Sequence, residues 1–525
     1  MILRDQQVSL VSKTKEWDFI IIGGGASGLG IAIDAASRGF KTILFEGNDF
    51  AKGTSSKSTK LVHGGVRYLA QGNLHLVIEA LHERGVLSKN AKHLFKNQKF
   101  IIPNYKWWKG FYYTIGLKVY DLLSIKFSLG KSALISKNKV KQFLPNINSK
   151  HLKNGTLYHD GQFDDARLAV NLAQTAIKQQ ATVLNYFKVN GLLKNKEGIV
   201  NGVSVFDKET KIKYNVNSKC VINATGILTD KILKLNNPNH KKSIVASQGV
   251  HLVLDKSFLD SDCAIMIPKT SDGRVLFIIP WYSKILVGTT DTLVKKKTLD
   301  PIALKSEIEF ILQNTKNYLN KEPKIENIKS VFAGLRPLAA PKNEHLNTKE
   351  VSRSHKIICS ESQLISIVGG KWTTYRKMAE DVIDKAIEIK NFKKINSNTV
   401  NIEISGNIKN NLDNSYLKVY GNKADALKEL EKSNPRYSEK IHVNYNYSVA
   451  QIIWAIRYEL ARTVEDVLAR RIRLLFLDAQ AAIDSAPKVA EVMANELKKD
   501  KTWEEEQIKD FLKVAKTYLI SYYYA

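Results

Sequence analysis

The chain has 525 residues, of which 44% are hydrophobic and 9% aromatic, with 80 lysines and arginines against 51 aspartates and glutamates. This composition excludes a disordered chain, and the length predicts about two or three folded domains. The formal net charge of +29 indicates an anionic partner, for which nucleic acid, lipid headgroups and a phosphorylated substrate are the candidates.

The cysteines and the apolar runs indicate which compartment and which membrane topology to expect. Cys220, Cys263 and Cys359 are too widely separated for a disulfide framework or a zinc pattern, so we expect no metal and a reducing compartment. The N-terminal residues lack an apolar stretch of signal-peptide length, so no secretion signal is expected. The most apolar run, residues 111–123, is interrupted by charges, so no membrane-spanning helix is expected either.

The first predicted elements form a dinucleotide-binding unit. An apolar strand over residues 17–22 leads into a glycine turn and an alanine-rich helix, and a second strand over residues 41–45 ends at Glu46. Gly23 allows the sharp turn, Gly25 lets the backbone approach a pyrophosphate, and Gly28 lets the helix pack closely on the strand. The N–H groups of the helix N-terminus would face the phosphates, and Glu46 would accept hydrogen bonds from ribose hydroxyls. A glycine turn without a ligand is the alternative.

A loop of small residues follows. Residues 53–69 combine clustered hydroxyl side chains with the sequence His63-Gly64-Gly65, which suits a backbone passing close to a bound ring and phosphates. An amphipathic helix is predicted over residues 73–95.

Residues 99–153 form a basic aromatic segment. They hold eleven lysines, no arginine and a single acid, with Trp107, Trp108 and further aromatics placed among the lysines. Tryptophan and tyrosine favour the headgroup level of a bilayer, and each lysine near an anionic leaflet contributes ~1 kcal/mol. We therefore predict a membrane-surface contact. A solvated basic face over an aromatic core is one alternative, and single-stranded nucleic acid is another, against which the absence of arginine argues.

Three later stretches are relevant to a binding site. A predicted buried strand from Cys220 ends in Ala224-Thr225-Gly226, where backbone meets the cofactor again. Residues 245–291 have the pattern of a mostly antiparallel sheet, a plausible floor for a substrate pocket. A strand over residues 364–368 leads into Gly369-Gly370-Lys371 and a helix, which predicts a second approach to the cofactor.

The C-terminal part is predicted to be helical. After a polar connection over residues 391–440, helices are expected over residues 451–460, 463–474, 478–499 and 503–518. Arg470, Arg471 and Arg473 would either line an entrance that attracts phosphate or lie on a solvated helix face.

Taken in order, the motifs closely resemble those of the FAD-dependent glycerol-3-phosphate dehydrogenase family, the aerobic membrane-associated type. The resemblance covers about residues 17–385 and is carried by residues 23–28, 54–56, 60–68, 164–167, 223–226, 287–291, 334–337 and 369–376.

This resemblance implies an α/β fold with three parts. A glutathione-reductase-like FAD-binding domain would comprise residues 15–105, 155–245 and 345–390. An antiparallel-sheet substrate domain, with the basic aromatic segment, would comprise residues 106–154 and 246–344. A helical C-terminal cap would comprise residues 391–525.

The resemblance also implies site residues. The FAD contacts would be Gly23, Gly25, Ala26, Ser27, Gly28, Glu46, Thr54, Ser55, Ser56, Lys60, His63, Gly64, Gly65, Ala224, Thr225, Gly226, Gly370, Lys371, Thr373 and Thr374. The substrate pocket would contain Arg67, Tyr68, Arg336 and Lys371, since guanidinium forks hold phosphomonoester oxygens bidentately.

Oxidation of a secondary alcohol requires hydride transfer from C2 to flavin N5 and a base for the hydroxyl proton. His63 and His251 are equal candidates for the base, because the ordinary pKa of histidine lies near neutral pH. Arg336 and Lys371 complete the set of catalytic candidates, with Lys371 stabilising negative charge on flavin or substrate.

The expected reaction is oxidation of sn-glycerol 3-phosphate to dihydroxyacetone phosphate, with electrons passed to quinone. A glycerol-3-phosphate oxidase that produces hydrogen peroxide shares nearly all the motifs and is the first alternative. A basic nucleic-acid-binding flavoprotein is the second, although the preferred interpretation has no nucleic-acid partner. We expect peripheral attachment to an anionic membrane surface, the cytoplasmic face of the inner membrane, and we keep a homodimer as one open arrangement.

Overall fold

The computed structural model describes residues 3–69, 72–340, 354–408 and 416–524, and their side chains except those of residues 67, 68 and 125. The helices of this part are α1 (Leu3–Lys13), α2 (Ala26–Ser37), α3 (Val66–Leu69), α4 (Leu74–Asn90), α5 (Trp107–Ser124), α6 (Lys137–Phe143), α7 (Asp165–Lys178), α8 (Thr229–Asn236), α9 (Lys305–Thr315), α10 (Tyr375–Lys390), α11 (Ala424–Lys432), α12 (Val449–Tyr458), α13 (Leu474–Leu477), α14 (Ala479–Leu497), α15 (Lys501–Ala515) and α16 (Ser521–Tyr524).

The strands of the same part are β1 (Trp17–Ile22), β2 (Thr42–Phe45), β3 (Leu61–Val62), β4 (Phe95–Asn104), β5 (Ala133–Ser136), β6 (Asn154–Phe163), β7 (Thr182–Leu184), β8 (Phe187–Lys194), β9 (Val200–Asp207), β10 (Lys213–Asn223), β11 (Ile244–Asp255), β12 (Ala264–Ile267), β13 (Leu276–Trp281), β14 (Lys284–Gly288), β15 (Thr292–Val294), β16 (Ile328–Ala339), β17 (Lys356–Cys359), β18 (Ile365–Val368), β19 (Lys440–His442) and β20 (Tyr445–Ser448).

The first sheet has a parallel centre. Its strand order is β17-β18-β10-β1-β2-β7, with the β8–β9 hairpin paired to β10, and the pairs β18–β10, β10–β1, β1–β2 and β2–β7 are all parallel. Phe19 and Ile21 of β1 pack in the core that contains α2, α7 and α10, whereas Ile20 and Ile22 pack on the opposite face. Both faces of β1 are buried, and for this reason its apolar residues follow one another instead of alternating with polar ones.

The second sheet is mostly antiparallel. Its order is β15-β11-β14-β13-β12-β4-β6-β3, with β16 paired along β11 and β5 paired with β6. Strands β3, β4 and much of β6 lie in ranges that we predicted for the cofactor domain, although their hydrogen bonds belong to this sheet. The domain boundaries given above stay predictions.

The C-terminal region packs helices on the second sheet. Side chains from α12 to α15 share a core with Val253, Leu286 and Phe332 of that sheet. The predicted α/β fold, with its parallel cofactor sheet, antiparallel second sheet and helical C-terminal region, is confirmed.

Two predicted helices differ from the observed ones. Helix α4 ends at Asn90, since Phe95 already begins β4. The single helix predicted over residues 463–474 is wrong, because Asp466–Arg471 forms a π-helical turn and Arg473 then takes a positive φ of 64° before α13.

Helix α5 leaves a wide apolar face exposed. Trp107, Tyr112, Ile115 and Leu122 are 66%, 64%, 66% and 76% exposed, while its opposite side is buried against the second sheet. Among the described residues, no helix is long and apolar enough to cross a bilayer.

Candidate functional site

A cavity of about 770 Å³ lies where the parallel strands of the first sheet end. Ile22 at the end of β1, Phe45 at the end of β2 and Ala224 just after β10 all line it. Ligands of open α/β sheets bind at this edge. Predicted cofactor residues that line the cavity are Gly23, Gly25, Ala26, Ser27, Glu46, Thr54, Ser55, Ala224, Thr225, Gly226, Gly370 and Lys371.

Close backbone contacts shape the glycine turn of this cavity. Gly23 has a φ of 111°, and a Cβ at this position would lie 2.7 Å from the carbonyl oxygen of Ala224. A Cβ on Gly28, in α2, would lie 1.9 Å from the carbonyl oxygen of Gly23. These two glycines therefore allow α2 to start directly behind β1, with its N-terminus at the cavity.

Two side chains fix the loops around that turn. Ser55 Oγ accepts a hydrogen bond from the Ala26 N–H at 3.0 Å. Glu46 accepts hydrogen bonds from the N–H groups of Gly24 at 2.7 Å and Asn48 at 2.8 Å, and burial raises its pKa. The carboxylate is thus held at the end of β2, where ribose hydroxyls of a dinucleotide would lie.

Lysines that the sequence interpretation missed also line the cavity. They are Lys52, Lys188, Lys208, Lys231 and Lys297. Lys52 pairs with Glu465 at 2.5 Å and with Asp300 at 3.2 Å, so it links the cavity to the C-terminal region. Lys52 could have been identified from the sequence because it adjoins the motif Gly53-Thr-Ser-Ser. The other four lysines lie next to no such motif. Glycine turn, helix N-terminus, fixed carboxylate and cations together fit an anionic dinucleotide.

A second cavity of about 300 Å³ adjoins the first. Both are lined by Thr54, Pro337, Gly369, Gly370, Lys371 and Trp372. Predicted site residues that line the second one are His63, Gly65, His251, Arg336 and Thr373. A reactant there would lie directly against a cofactor bound in the first cavity.

Arg336 on β16 is oriented by polar groups of the 289–291 loop. Its Nη1 lies 3.3 Å from Asp291 Oδ1, and its Nη2 donates to Thr289 Oγ1 at 3.2 Å and to the Thr290 carbonyl at 3.1 Å. Ser247 hydrogen-bonds Asp291 as well. A fixed guanidinium at a cavity wall is suited to an anionic substrate group.

His251 on β11 is buried between two neighbours. Its Nε2 lies 3.0 Å from Thr59 Oγ1, and its ring stacks on Phe332 with centroids 4.9 Å apart. Within the described part of the chain, its Nδ1 has no hydrogen-bond partner. Burial, with the nearby charges of Lys60 and Arg336, holds the pKa of His251 well below its ordinary value, so the ring is neutral near pH 7.

Several predicted cofactor residues lie away from both cavities. The side chain of Lys60 is fully buried, and its ammonium donates to Asp165 at 2.6 Å and to the Ser56 carbonyl at 2.7 Å. Burial lowers the pKa of Lys60 to about 7. Gly64 donates its N–H to the Tyr120 hydroxyl at 2.8 Å, and Ser56 and Thr374 are buried. For these residues, contact with a cofactor stays a prediction without a cavity position to support it.

Two substrate candidates fall outside the description. Arg67 and Tyr68 lie in α3, but their side chains are not among those described. Arg274, which the sequence interpretation did not select, lines the second cavity and pairs with Asp272 at 2.6 Å.

The C-terminal arginines take neither of the two predicted positions. Arg470, Arg471 and Arg473 are at most 3% exposed. Arg471 donates to both carboxylate oxygens of Asp49 at 2.7 and 2.9 Å, and Arg473 Nη2 lies 3.1 Å from Asp165 Oδ1. Both interpretations are wrong because Asp49, which follows β2, and Asp165, at the start of α7, neutralise these charges inside the protein, where unpaired charges are costly.

Comparisons with known proteins agree with this geometry. Residues 18–376 match the family model "FAD dependent oxidoreductase", and residues 360–506 match "C-terminal domain of alpha-glycerophosphate oxidase". The mitochondrial glycerol-3-phosphate dehydrogenase of Rattus norvegicus is 37% identical over 98% of this chain and 75% of its own length. The mitochondrial enzyme of Saccharomyces cerevisiae is 36% identical over 96% of this chain and 90% of its own length.

A solved structure is similar over almost the whole chain. The glycerol-3-phosphate dehydrogenase of Bacillus halodurans, complexed with FAD, has a TM-score of 0.81 and 28% identity, and the match covers 98% of this chain and 97% of that one.

Proposed function

The chain belongs to the FAD-dependent glycerol-3-phosphate dehydrogenase family, and from this premise we propose that it oxidises sn-glycerol 3-phosphate to dihydroxyacetone phosphate and delivers the electrons to a membrane quinone. FAD is its cofactor. The observation that carries the proposal is the junction of the two cavities, because it sets Arg336 and His251 beside a dinucleotide site. When bound, FAD supplies a hydride acceptor.

Arg336 and Lys371 bind the phosphate in this proposal. A phosphomonoester carries close to two negative charges at neutral pH, and both side chains line the second cavity. Asp291 and Thr289 fix the guanidinium, so little side-chain entropy is lost when the phosphate binds. The anchored phosphate then orients C2 towards the cofactor cavity.

His251 is our preferred base. Thr59 and Phe332 fix its ring, and its depressed pKa keeps it unprotonated at neutral pH. It would accept the proton of the C2 hydroxyl as the hydride leaves C2. His63 lines the same cavity and remains the competing candidate.

Anaerobic mixing of the yellow holoprotein with glycerol 3-phosphate tests the reaction. We expect the flavin absorbance to bleach and one equivalent of dihydroxyacetone phosphate to form per flavin. Failure to bleach, with FAD fully bound, would contradict the proposed substrate.

Quinone as acceptor is supported by the exposed apolar face of α5, since quinone is dissolved in lipid. The oxidase alternative predicts near-stoichiometric peroxide when oxygen is the sole acceptor. We expect little peroxide and rapid turnover with a soluble quinone analogue, and the reverse result would favour the oxidase. Salt-sensitive RNA binding without turnover would favour the nucleic-acid alternative.

We propose that α5 attaches the protein peripherally to an anionic membrane, at the cytoplasmic face of the inner membrane. Phe111 and Ile115, 52% and 66% exposed, lie on its apolar face, and burying two such side chains contributes about 3 kcal/mol or more. We expect the variant F111S/I115S to float with vesicles at least about tenfold less well than the unaltered protein. Equal flotation would contradict the attachment.

Light scattering of the detergent-free protein tests the homodimer.

A further inference from the structure

A third cavity lies at the edge of the second sheet, next to the start of α5. It has a volume of about 630 Å³, and Lys109, Lys150, His151 and Lys269 all line it. This volume falls within the range of small-molecule pockets, about 300–1,000 Å³, and exceeds the volume that a bare phosphate needs. We call it the lysine cavity.

Its basic side chains come from separate parts of the chain. Lys109 belongs to α5, Lys150 and His151 precede β6, and Lys269 lies between β12 and β13. Among the described residues, no carboxylate lines the cavity or forms an ion pair with these lysines. Lys150 and Lys269 are exposed and Lys109 is half-buried, so the cavity mouth carries positive charge without a compensating acid among its described lining residues, which favours an anion there.

Amide side chains hold the walls of the lysine cavity together. Asn148 donates to the Asn317 carbonyl at 3.2 Å, and its own carbonyl accepts from the Tyr105 hydroxyl at 3.0 Å. Asn314, 9% exposed, accepts from the Ser271 N–H at 3.0 Å. The loops that carry the lysines are therefore tied to the end of α9 and its following loop.

The position of the lysine cavity indicates the source of the anion. Lys109 is two residues beyond Trp107 and next to Trp108, which are 66% and 50% exposed. Tryptophan lies at the headgroup level of a bilayer, so the cavity mouth would lie at the same depth as lipid phosphates. Lysines act as point charges and suit a phosphodiester without a fixed orientation.

We propose that the lysine cavity binds the phosphate group of an anionic phospholipid headgroup. The proposal rests on membrane attachment through α5 and adds a specific site to it. Bound lipid would fix the orientation of the protein on the bilayer, because the cavity and the apolar face of α5 would be engaged together.

The test uses monomeric dihexanoyl-phosphatidylglycerol and calorimetry on the full holoprotein. The pocket variant is K150Q/K269Q, and the matched control is K137Q/K141Q, which removes the same charge from exposed positions on α6. We expect the pocket variant to bind the lipid about tenfold more weakly and the control to change by less than about twofold. All variants should retain FAD and turnover with a soluble quinone analogue.

Three outcomes would overturn the proposal. They are undetectable binding of the lipid by the unaltered protein, equal weakening in the pocket and control variants, and inorganic phosphate binding as tightly as the lipid, which would assign the cavity to free phosphate. Because monomeric lipid is used, this result is independent of the vesicle flotation of F111S/I115S. Unchanged flotation would count against α5 attachment alone.

Discussion

The two adjoining cavities are built by different means. The cofactor cavity is shaped by backbone, with Gly23 and Gly28 allowing contacts that no side chain would permit. The substrate cavity is shaped by side chains, with His251 on β11 and Arg336 on the neighbouring strand β16; in the pairing of these strands His251 lies opposite Phe332 and Arg336 lies opposite Ser247. A backbone-built site leaves a local sequence pattern, whereas a side-chain-built site depends on which distant strands the fold brings together.

The largest effect on FAD binding is expected from a single methyl group in the backbone-built cavity. In G28A the new Cβ would meet the Gly23 carbonyl oxygen at 1.9 Å, which forces α2 away from β1. We expect a cost of about 3 kcal/mol, or about 100-fold weaker FAD binding. Flavin absorbance during reconstitution measures it.

G116A is the matched control, since it adds the same methyl group to helix α5, where, apart from the adjoining residues and the helix's own backbone, no atom lies within 4 Å of the new Cβ. It should bind FAD as the unaltered protein does. Equal affinities in G28A and G116A would show that the cavity does not depend on this backbone contact.

The second prediction concerns the buried ion pair between Asp49, in the loop after β2, and Arg471, and its contribution to the free energy of unfolding. Arg471 and Arg470 hold the pKa of Asp49 well below its usual value despite its burial. R471M would remove the arginine that donates to both carboxylate oxygens of Asp49. We expect a loss of about 3–5 kcal/mol in the free energy of unfolding. Denaturant unfolding followed by circular dichroism measures it.

R436M is its control, because the Arg436–Glu491 pair is about half exposed on both sides. Such a pair contributes about 1 kcal/mol or less. Similar losses in the two variants would mean that the buried network is no more important than a surface ion pair.

The third prediction addresses the side-chain-built cavity. H251N should bind FAD normally and reduce kcat by about 10²–10⁴-fold, the usual contribution of a general base. Because the pKa of His251 lies well below 6.5, its neutral form persists as pH falls through that value. The pH profile of the unaltered enzyme should therefore show no acid limb at the ordinary pKa of histidine.

H63N is the direct comparison for this prediction. If H63N loses more activity than H251N, then His63 is the base.

The smallest effect is expected from T59V. This change removes the hydroxyl that lies 3.0 Å from His251 Nε2 but keeps a similar shape. We expect kcat to fall by about two- to tenfold, as for one lost hydrogen bond. A change in KM alone would indicate that Thr59 contacts the substrate instead of positioning His251.

The difference between the cavities explains what the sequence could predict. Gly23, Gly28 and Glu46 occur at fixed spacing within one βαβ unit, so their arrangement follows from local geometry. The ring contacts of His251 required knowledge that β11 pairs with β16, which brings Phe332 beside it. No local pattern carries that pairing.

The positions of the C-terminal arginines could not be predicted from the sequence. Arg470 and Arg471 look like a surface cluster in the sequence, because buried arginine is rare without a partner. Their partner, Asp49, lies more than 400 residues earlier in the chain. Only the folded arrangement identifies it.

The central claim is that Arg336 binds the substrate phosphate beside the flavin, and one rapid-mixing measurement tests it directly. Anaerobic flavin bleaching by glycerol 3-phosphate and by glycerol is compared in the unaltered protein and in R336K, both with FAD bound. We predict that R336K loses about 100-fold of the preference for the phosphorylated alcohol, while its slow reaction with glycerol is unchanged. An unchanged preference in R336K would contradict the account.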